Sequence, residues 1–282
     1  MNKPLFSVLI ANYNNGNYIQ ECIESVFAQD YKEWEIIIVD DASTDNSKSI
    51  YLLYANHPQI HIYFNDKNRG VTYTKWRCIE EAKGDFCGFL DPDDTILPNA
   101  LSLMVSNHLQ DLDISIISSR YYVCDEDMNV QSESGYLRIP KDNSYLTYMQ
   151  YAPWPFISFK MSKYEQTKGL NRYNNIGDDQ ELCLLLEEVG KWHVLDDITY
   201  KYRIKKDSLS QSDKRRCLYW NLIVYHEACM RRGLNPDIYA FKNFISIIDD
   251  AQNEWRLSRE YKLGRILLYP FRILQKFMRV IF

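Results

Sequence analysis

The sequence predicts an α/β fold in which a mainly parallel sheet is covered by helices on both faces. Short apolar runs alternate with amphipathic stretches between residues 7 and 90, and the runs are almost continuously apolar. Strands buried on both faces read this way, and regular alternation with helices favours parallel pairing. A third observation adds polarity to the sheet: the acidic and amide residues cluster just after the runs, where sheets of this kind bind ligands.

The elements follow in order. Ser7–Ala11 is expected to form the first strand, with Asn12-Tyr13-Asn14-Asn15-Gly16 as a loop. The next helix carries Ile19, Cys22, Ile23 and Val26 on one face, and Asn17, three residues ahead of Gln20, has the pattern of its N-terminal cap. Glu35–Val39 is the second strand; it runs into Asp40-Asp41-Ala42-Ser43-Thr44-Asp45 and a helix bearing Ile50, Leu52 and Leu53. Ile60–Phe64 is the third, followed by Asn68-Arg69-Gly70 and a helix reaching Ala82. Phe86–Leu90 is the fourth.

That fourth run leads straight into Asp91-Pro92-Asp93-Asp94. Carboxylates crowded at the end of a buried strand repel one another unless a cation joins them, and a small set of hard oxygen ligands suits Mg²⁺ or Mn²⁺ bridging a substrate's phosphates. Pro92 biases Asp91 toward extended geometry, so Asp91 should finish the strand while Asp93 and Asp94 turn out over its end. Taken alone, the same residues also read as an acidic surface turn. The chain contains no Gly-x-Gly-x-x-Gly and no Gly-x-x-x-x-Gly-Lys, which removes the usual dinucleotide fold and the P-loop.

Several motifs in fixed order carry a family resemblance: Ser7–Asn14, Ile37–Asp45, Asn68-Arg69-Gly70, Ala82-Lys83-Gly84-Asp85, Phe89–Asp94, Gly177-Asp178-Asp179, and Tyr202-Arg203 ahead of Ser208 and Ser210. The series resembles the inverting family 2 glycosyltransferases of GT-A fold. The resemblance implies a Rossmann-like, mixed but mainly parallel sheet within residues 1–212, and residues 213–282 are expected to add a helical extension. It also implies transfer of a sugar from a nucleoside diphosphate donor, a UDP-sugar, to a glycan or glycolipid. By match to the family's motifs, Asp93 would ligate Mg²⁺ or Mn²⁺ with Asp94 in support, and Asp91 would face the ribose and the metal. Asp41 would accept a hydrogen bond from a uracil imide, Ala11 and Tyr13 would line the base pocket, and Arg203 would lie at the donor. Asp179 would be the catalytic base, with Asp178 as its partner; an inverting transfer needs the acceptor hydroxyl deprotonated opposite the leaving group. From the residues alone, Asp40, Asp41 and Asp45 also fit an acidic capping turn. Asp178 and Asp179 likewise fit acids at the start of the helix bearing Leu182, Leu184, Leu185 and Leu186.

Two positions depart from the family's pattern. Lys205 stands where many relatives carry a histidine, and an ammonium pairs with a diphosphate directly but cannot ligate a metal while protonated. Metal dependence is therefore expected to be weaker or differently arranged. After Gly70, where relatives often carry arginine, the chain has Thr74-Lys75-Trp76, so either Lys75 or Arg77 takes over as the cation at the donor.

The section between Ser115 and Trp192 should govern the acceptor. Arg120–Val123 and Val130–Arg138 read as a hairpin, and Ile157–Lys160 as a strand. Trp154 is a candidate to stack on an acceptor sugar, although large aromatics also simply fill cores. Cys217–Arg232 reads as a helix stopped by Gly233 and Pro236.

Composition narrows the function classes. With 33 basic against 38 acidic residues, the chain does not read as a nucleic-acid binder. Seven cysteines without a C-x-x-C pair suit neither a disulfide framework nor a zinc site, which fits the reducing cytoplasm. A nucleotidyltransferase would also use an alternating sheet with acidic metal sites, but no Gly-rich, basic phosphate loop follows the first strand. A silent sugar-binding module would keep Asp41 without needing Asp93 or Asp179.

The segment from Tyr261 to Phe282 holds five basic residues and no acid. On a helix Arg265, Arg272, Lys276 and Arg279 share one face and the bulky apolar residues the other, which suits a helix lying on the cytoplasmic face of an anionic inner membrane. The alternative is a helix packed on its own domain. Truncation before Tyr261 is expected to release the protein from anionic vesicles while sparing activity on a short soluble acceptor; flotation with and without salt checks this. A truncated protein that still floats, or that unfolds, supports the packed helix.

Overall fold

The computed structural model describes residues 3–135, 146, 155–174, 176–205 and 214–236. Its strands are β1 (Phe6–Asn12), β2 (Trp34–Asp40), β3 (Ile60–Phe64), β4 (Phe86–Phe89), β5 (Thr95–Ile96), β6 (Ile114–Cys124), β7 (Val130–Glu133), β8 (Ile157–Lys160) and β9 (Lys191–Arg203). The helices are α1 (Ile19–Phe27), α2 (Ser47–Tyr51), α3 (Val71–Glu81), α4 (Ala100–Gln110), α5 (Met161–Tyr164), α6 (Asp178–Glu187) and α7 (Lys214–Arg231). One sheet has the order β3-β2-β1-β4-β8-β6-β9-β5, with β7 paired on β6.

The first four strands are parallel, as their apolar runs predict. Alternation inside those runs sends side chains to two separate cores. Leu9, Ile37 and Val39 pack with Ile79 of α3 and Leu182–Leu186 of α6. Val8, Ile10, Ile36 and Ile38 pack with Ile19, Ile23 and Val26 of α1 and with Leu101 and Met104 of α4. Parallel order ends at β8, which is antiparallel to both β4 and β6. β6 then pairs parallel with the long β9 through several register shifts. The sheet is therefore mixed but mainly parallel, with helices on both faces. The expected hairpin is β6–β7. Val224, Tyr225, Ala228 and Cys229 of α7 are buried in the same core as α6, so this first helix of the extension shares the packing of the sheet.

Two local expectations give way. α1 starts after Tyr18 with no side-chain cap; the Asn15 carbonyl accepts from the Tyr18 and Ile19 N–H groups, and Gln20 donates to Glu24 instead of closing a capping box with Asn17. α2 is a single short turn that buries Ser47 and Tyr51, leaving Leu52 and Leu53 exposed in a 3₁₀ turn. Tyr51 is drawn inward because its hydroxyl reaches Asp40 and Asn12.

At the amino edge of the sheet, Ser7 Oγ donates to Glu35 (2.6 Å), and Glu35 also accepts from the Lys83 N–H. Gly84 lies against Ser7, and a Cβ there would come within 2.6 Å of Ser7 Oγ and 2.7 Å of the Phe86 carbonyl. Gly84→Ala is accordingly expected to destabilise the fold by about 1–3 kcal/mol in urea unfolding, because the obstruction is backbone and cannot swing away.

Candidate active site at the carboxyl edge of the sheet

β1, β2 and β4 all end on the same edge, and the polar residues after them interlock. Asn12, buried at the end of β1, directs its amide nitrogen to Tyr51 (2.7 Å), Ser47 (3.1 Å) and Asp40 (3.3 Å). Asp40 Oδ1 accepts from the Ser43 N–H (2.8 Å), which fixes the turn through Ala42 at φ 60°. Asp40 thus organises the turn after β2. Ala11 is half-buried on β1, and Tyr13 is exposed on the loop beyond it.

Asp41 is 3% exposed. Its Oδ1 accepts from Asn65 Nδ2 (2.7 Å) and the Arg69 N–H (2.8 Å), and Oδ2 from the Gly70 N–H (2.8 Å). The carboxylate therefore holds the Asn68-Arg69-Gly70 loop, a role that its neighbours in sequence do not reveal.

The three acids after β4 occupy different environments. Asp94 is buried, with Oδ2 accepting from the Tyr200 hydroxyl (2.7 Å) and Oδ1 from the Arg203 N–H (2.7 Å). Burial, with Asp93 and Asp91 adding repulsion, pushes the Asp94 carboxyl well above its usual range. With both oxygens engaged on β9, Asp94 is an anchor of the loop in this structure, where the sequence expectation was support of a metal. Asp93 is more open, and its Oδ2 meets Lys205 Nζ at 2.6 Å. Lys205 also donates to Asn15 and lies over the Tyr18 ring. Burial raises the Asp91 carboxyl; Lys75 opposes that rise, and Asp93 and Asp178 add to it.

Arg203, expected at the donor, is engaged by the protein. Its Nε donates to the Asp93 carbonyl (2.6 Å), one terminal nitrogen to Glu21 (2.5 Å) and the other to the Glu126 carbonyl. The guanidinium packs over Tyr18. It ties together α1, the acidic loop and the turn after β6.

Asp178 and Asp179 open α6, after Gly177 at φ 94°. That conformation is in the left-handed region, which glycine adopts without a Cβ penalty. Lys75, buried on α3, places Nζ 2.7 Å from both Asp178 Oδ2 and Asp179 Oδ1 and lies over the Phe89 ring. Of the two cations expected to replace the family's arginine, Lys75 is thus bound to the acidic pair, whereas Arg77 pairs with Glu81 and the end of β3. Burial alone would depress the Lys75 ammonium, but Asp178, Asp179 and Asp91 reverse this and hold it well above its ordinary value.

The pair is asymmetric. The Asp178 side chain is 6% exposed and the Asp179 side chain 51%. For Asp178 the burial penalty is overcome by Lys75, and its carboxyl is held below the ordinary range. Asp179 is pushed up to about 7 by desolvation, against the pull of Lys75 and with Asp178 and Asp91 adding to the rise. An accessible carboxylate near neutrality is suited to accept a proton at physiological pH.

Sequence reasoning missed three contributors. Glu181 is buried one turn into α6 and binds the Asn171 N–H, Asn174 and Lys168; its spacing from Asp178 is the one signal that could have marked it. Tyr200 and Glu21 come from distant segments with no local signature. Trp154 and the 261–282 segment lie outside the described residues. Among the described residues no group of three or more His, Cys, Asp or Glu forms a ready-made metal cage, and no helix is long and apolar enough to cross a membrane.

The fold is that of GT-A-type transferases. TarS of S. aureus in complex with UDP-GlcNAc is similar at a TM-score of 0.63 and 19% identity, over 78% of this chain and 65% of that one. The mannosyltransferase PcManGT of Pyrobaculum calidifontis, in complex with GDP-Man and Mn²⁺, is similar at a TM-score of 0.58 and 16% identity, over 94% and 84%. The family model described as glycosyl transferase family 2 matches residues 7–168, more than half of the sequence, and the chain belongs to that family. Hyaluronan synthase of Pasteurella multocida is 27% identical over 276 residues, which is 96% of this chain but 28% of the relative. The chain spans roughly a third or less of the length of the curated synthases it matches.

The ionised form of Asp179 is the one able to take a proton, so kcat/KM is expected to rise with pH through about 7. Because Lys75 lowers that carboxyl, Lys75→Met should displace the rise to higher pH, with about a fivefold loss at pH 7 for the first unit of displacement and about tenfold for each further unit. Initial rates across pH check both statements.

Proposed function

We propose that the protein transfers a sugar, with inversion, from a UDP-sugar to a hydroxyl of a lipid-linked or cell-surface glycan during polysaccharide biosynthesis. The observation that carries this reading is the half-open Asp179 at the start of α6, held 2.7 Å from the buried Lys75 and under the repulsive field of Asp91. One acidic group then serves the acceptor while the Asp91–Asp94 loop serves the donor. The UDP-GlcNAc complex of TarS and the hyaluronan synthase relative support the choice of uridine and of a polysaccharide.

In this reading Asp179 removes the acceptor proton, and Asp178, kept ionised by Lys75, holds the ammonium that orients it. Asp41 meets the uracil imide through Oδ2, which carries the Gly70 N–H and retains a second lone pair, while Ala11 and Tyr13 border the base. Asp93, with Asp91 beside it, would hold Mg²⁺ or Mn²⁺; two carboxylates suit an ion that keeps waters and takes its other ligands from phosphate. When bound, the metal supplies charge neutralisation to the departing diphosphate. Lys205, resting on Asp93, can pair with the same diphosphate as a point charge. Arg203 and Asp94 keep the loop in register from behind. The basic amphipathic segment at 261–282 would hold the enzyme on the cytoplasmic face of the membrane, near a lipid-linked acceptor.

Asp93→Asn and Asp179→Asn are both expected to abolish transfer, through different steps. Loss of the donor-side carboxylate weakens UDP-sugar binding as well as turnover, whereas loss of the base leaves donor affinity nearly intact. Calorimetric titration of both variants checks this; full donor affinity in both would overturn the division of roles.

A further inference from the structure

Beside the acidic pair lies a group of side chains with no part in the chemistry above. Tyr73 and Trp76 of α3 pack ring against ring at 5.4 Å. The Arg172 guanidinium lies over the Trp76 ring at 4.7 Å and over the Tyr173 ring at 5.2 Å. Arg172 also donates to the Tyr173 hydroxyl (3.1 Å), and Tyr173 is 77% exposed.

Arg172 differs from its counterparts. Arg69, Arg77, Arg120, Arg203, Arg231 and Arg232 each pair with a carboxylate. Arg172 has no acidic partner among the described residues. The rings restrain the guanidinium, one terminal nitrogen of which donates to the Tyr173 hydroxyl, while its remaining N–H edge has no partner among the described residues. That edge is the fork that grips a carboxylate or phosphate with two parallel hydrogen bonds. Aromatic faces beside it suit the apolar C–H face of a sugar ring.

Position connects this platform to Asp179. Thr72 Oγ1 lies 3.4 Å from Asp178, and Trp76 is one helical turn further along α3, about 6 Å down the axis. The loop bearing Arg172 is tied at Asn171 and Asn174 to Glu181, two residues beyond Asp179 on α6. Trp76 also lines a cavity of about 420 Å³ together with Tyr164, Lys168, Gly169 and Leu170.

We propose that Trp76, Arg172 and Tyr173 form an acceptor subsite that selects an anionic sugar neighbouring the one that receives the transferred unit. The inference rests on the assignment of Asp179 to the acceptor side. Arg172 supplies the fork for the acid, Trp76 backs the guanidinium, and the exposed Tyr173 ring supplies the stacking surface. The acid group is a uronate carboxylate or a sugar phosphate ester, two sources of the same chemistry, a pair of anionic oxygens able to accept two parallel N–H bonds.

The test is binding to the full-length protein, followed by calorimetry and tryptophan fluorescence. The probes are a hexuronate oligosaccharide, its carboxyl-reduced neutral form and a phosphorylated oligosaccharide, with UDP titrated into the same samples. At least one acidic probe is expected to bind more tightly than the neutral form, and the stronger arm identifies the acid. Arg172→Gln should weaken that binding about tenfold or more and leave the neutral probe unchanged. Arg172→Lys, which keeps the charge without the fork, should recover only part of it, and Tyr173→Ala should weaken acidic and neutral probes alike. UDP affinity stays constant in all three variants. Equal binding of acidic and neutral probes, failure of all three probes to bind while UDP does, or an Arg172→Gln loss common to all probes overturns the subsite. Failure of UDP to bind the unaltered protein overturns the donor-site reading, and this inference with it.

Discussion

The arrangement of the site depends on one buried ammonium. Lys75 sits on the face of α3 that packs toward the sheet, in an environment that by itself would expel its charge, and stays ionised because Asp178 and Asp179 meet it at equal distance. Removing either kind of charge would strand the other, and an unpaired buried ion is far more costly than a pair. The contact spans from residue 75 to residue 179, so it fixes the start of α6 against α3. Gly177 makes the approach possible, since α6 begins from a left-handed residue that turns both carboxylates toward α3.

A second set of contacts closes the site from the opposite side. β9 is long enough to carry Tyr200 and Arg203 back under the Asp91–Asp94 loop, where one binds Asp94 and the other binds Asp94, Asp93 and Glu21. An acidic loop at a strand end has repulsive neighbours and little backbone pairing of its own. These bonds supply the rigidity that the loop lacks, and they come from a strand 106 to 109 residues further along the chain.

Legibility in the sequence follows the range of the interactions. β1 to β4 and the buried face of α1 were readable because continuous apolar runs and a 3.6-residue period are local signals. Asn17 misled because a cap pattern does not reveal that the Asn15 carbonyl is better placed, and α2 because the polar pull of Asn12 and Asp40 on Tyr51 outweighs the apolar pair Leu52 and Leu53. Acidic positions were readable as a set; their separate environments were not. Whether Asp94 or Asp93 faces outward depends on β9, and the engagement of Arg203 on Glu21 and Glu126 depends on pairings that span much of the chain.

The acidic pairs share a physical logic. In Asp93-Asp94 and in Asp178-Asp179, one carboxylate is buried and bound on its protein side while its neighbour remains accessible. Adjacent carboxylates cannot both be reactive at one place, because each raises the cost of ionising the other. Burying one against fixed donors makes it part of the scaffold and leaves its field acting on the second. For Asp179 that field, with desolvation, produces a proton affinity near neutrality; for Asp93 the neighbour's contribution is positional, since Asp94 holds the loop from which Asp93 projects. Asp40-Asp41 departs from this pattern: both are buried and both hold backbone turns, so whatever Asp41 contributes to a ligand comes through the remaining lone pair of an oxygen already bonded to Gly70. The site is thus built by acids that differ in burial more than in sequence context, and burial is a property of the whole sheet.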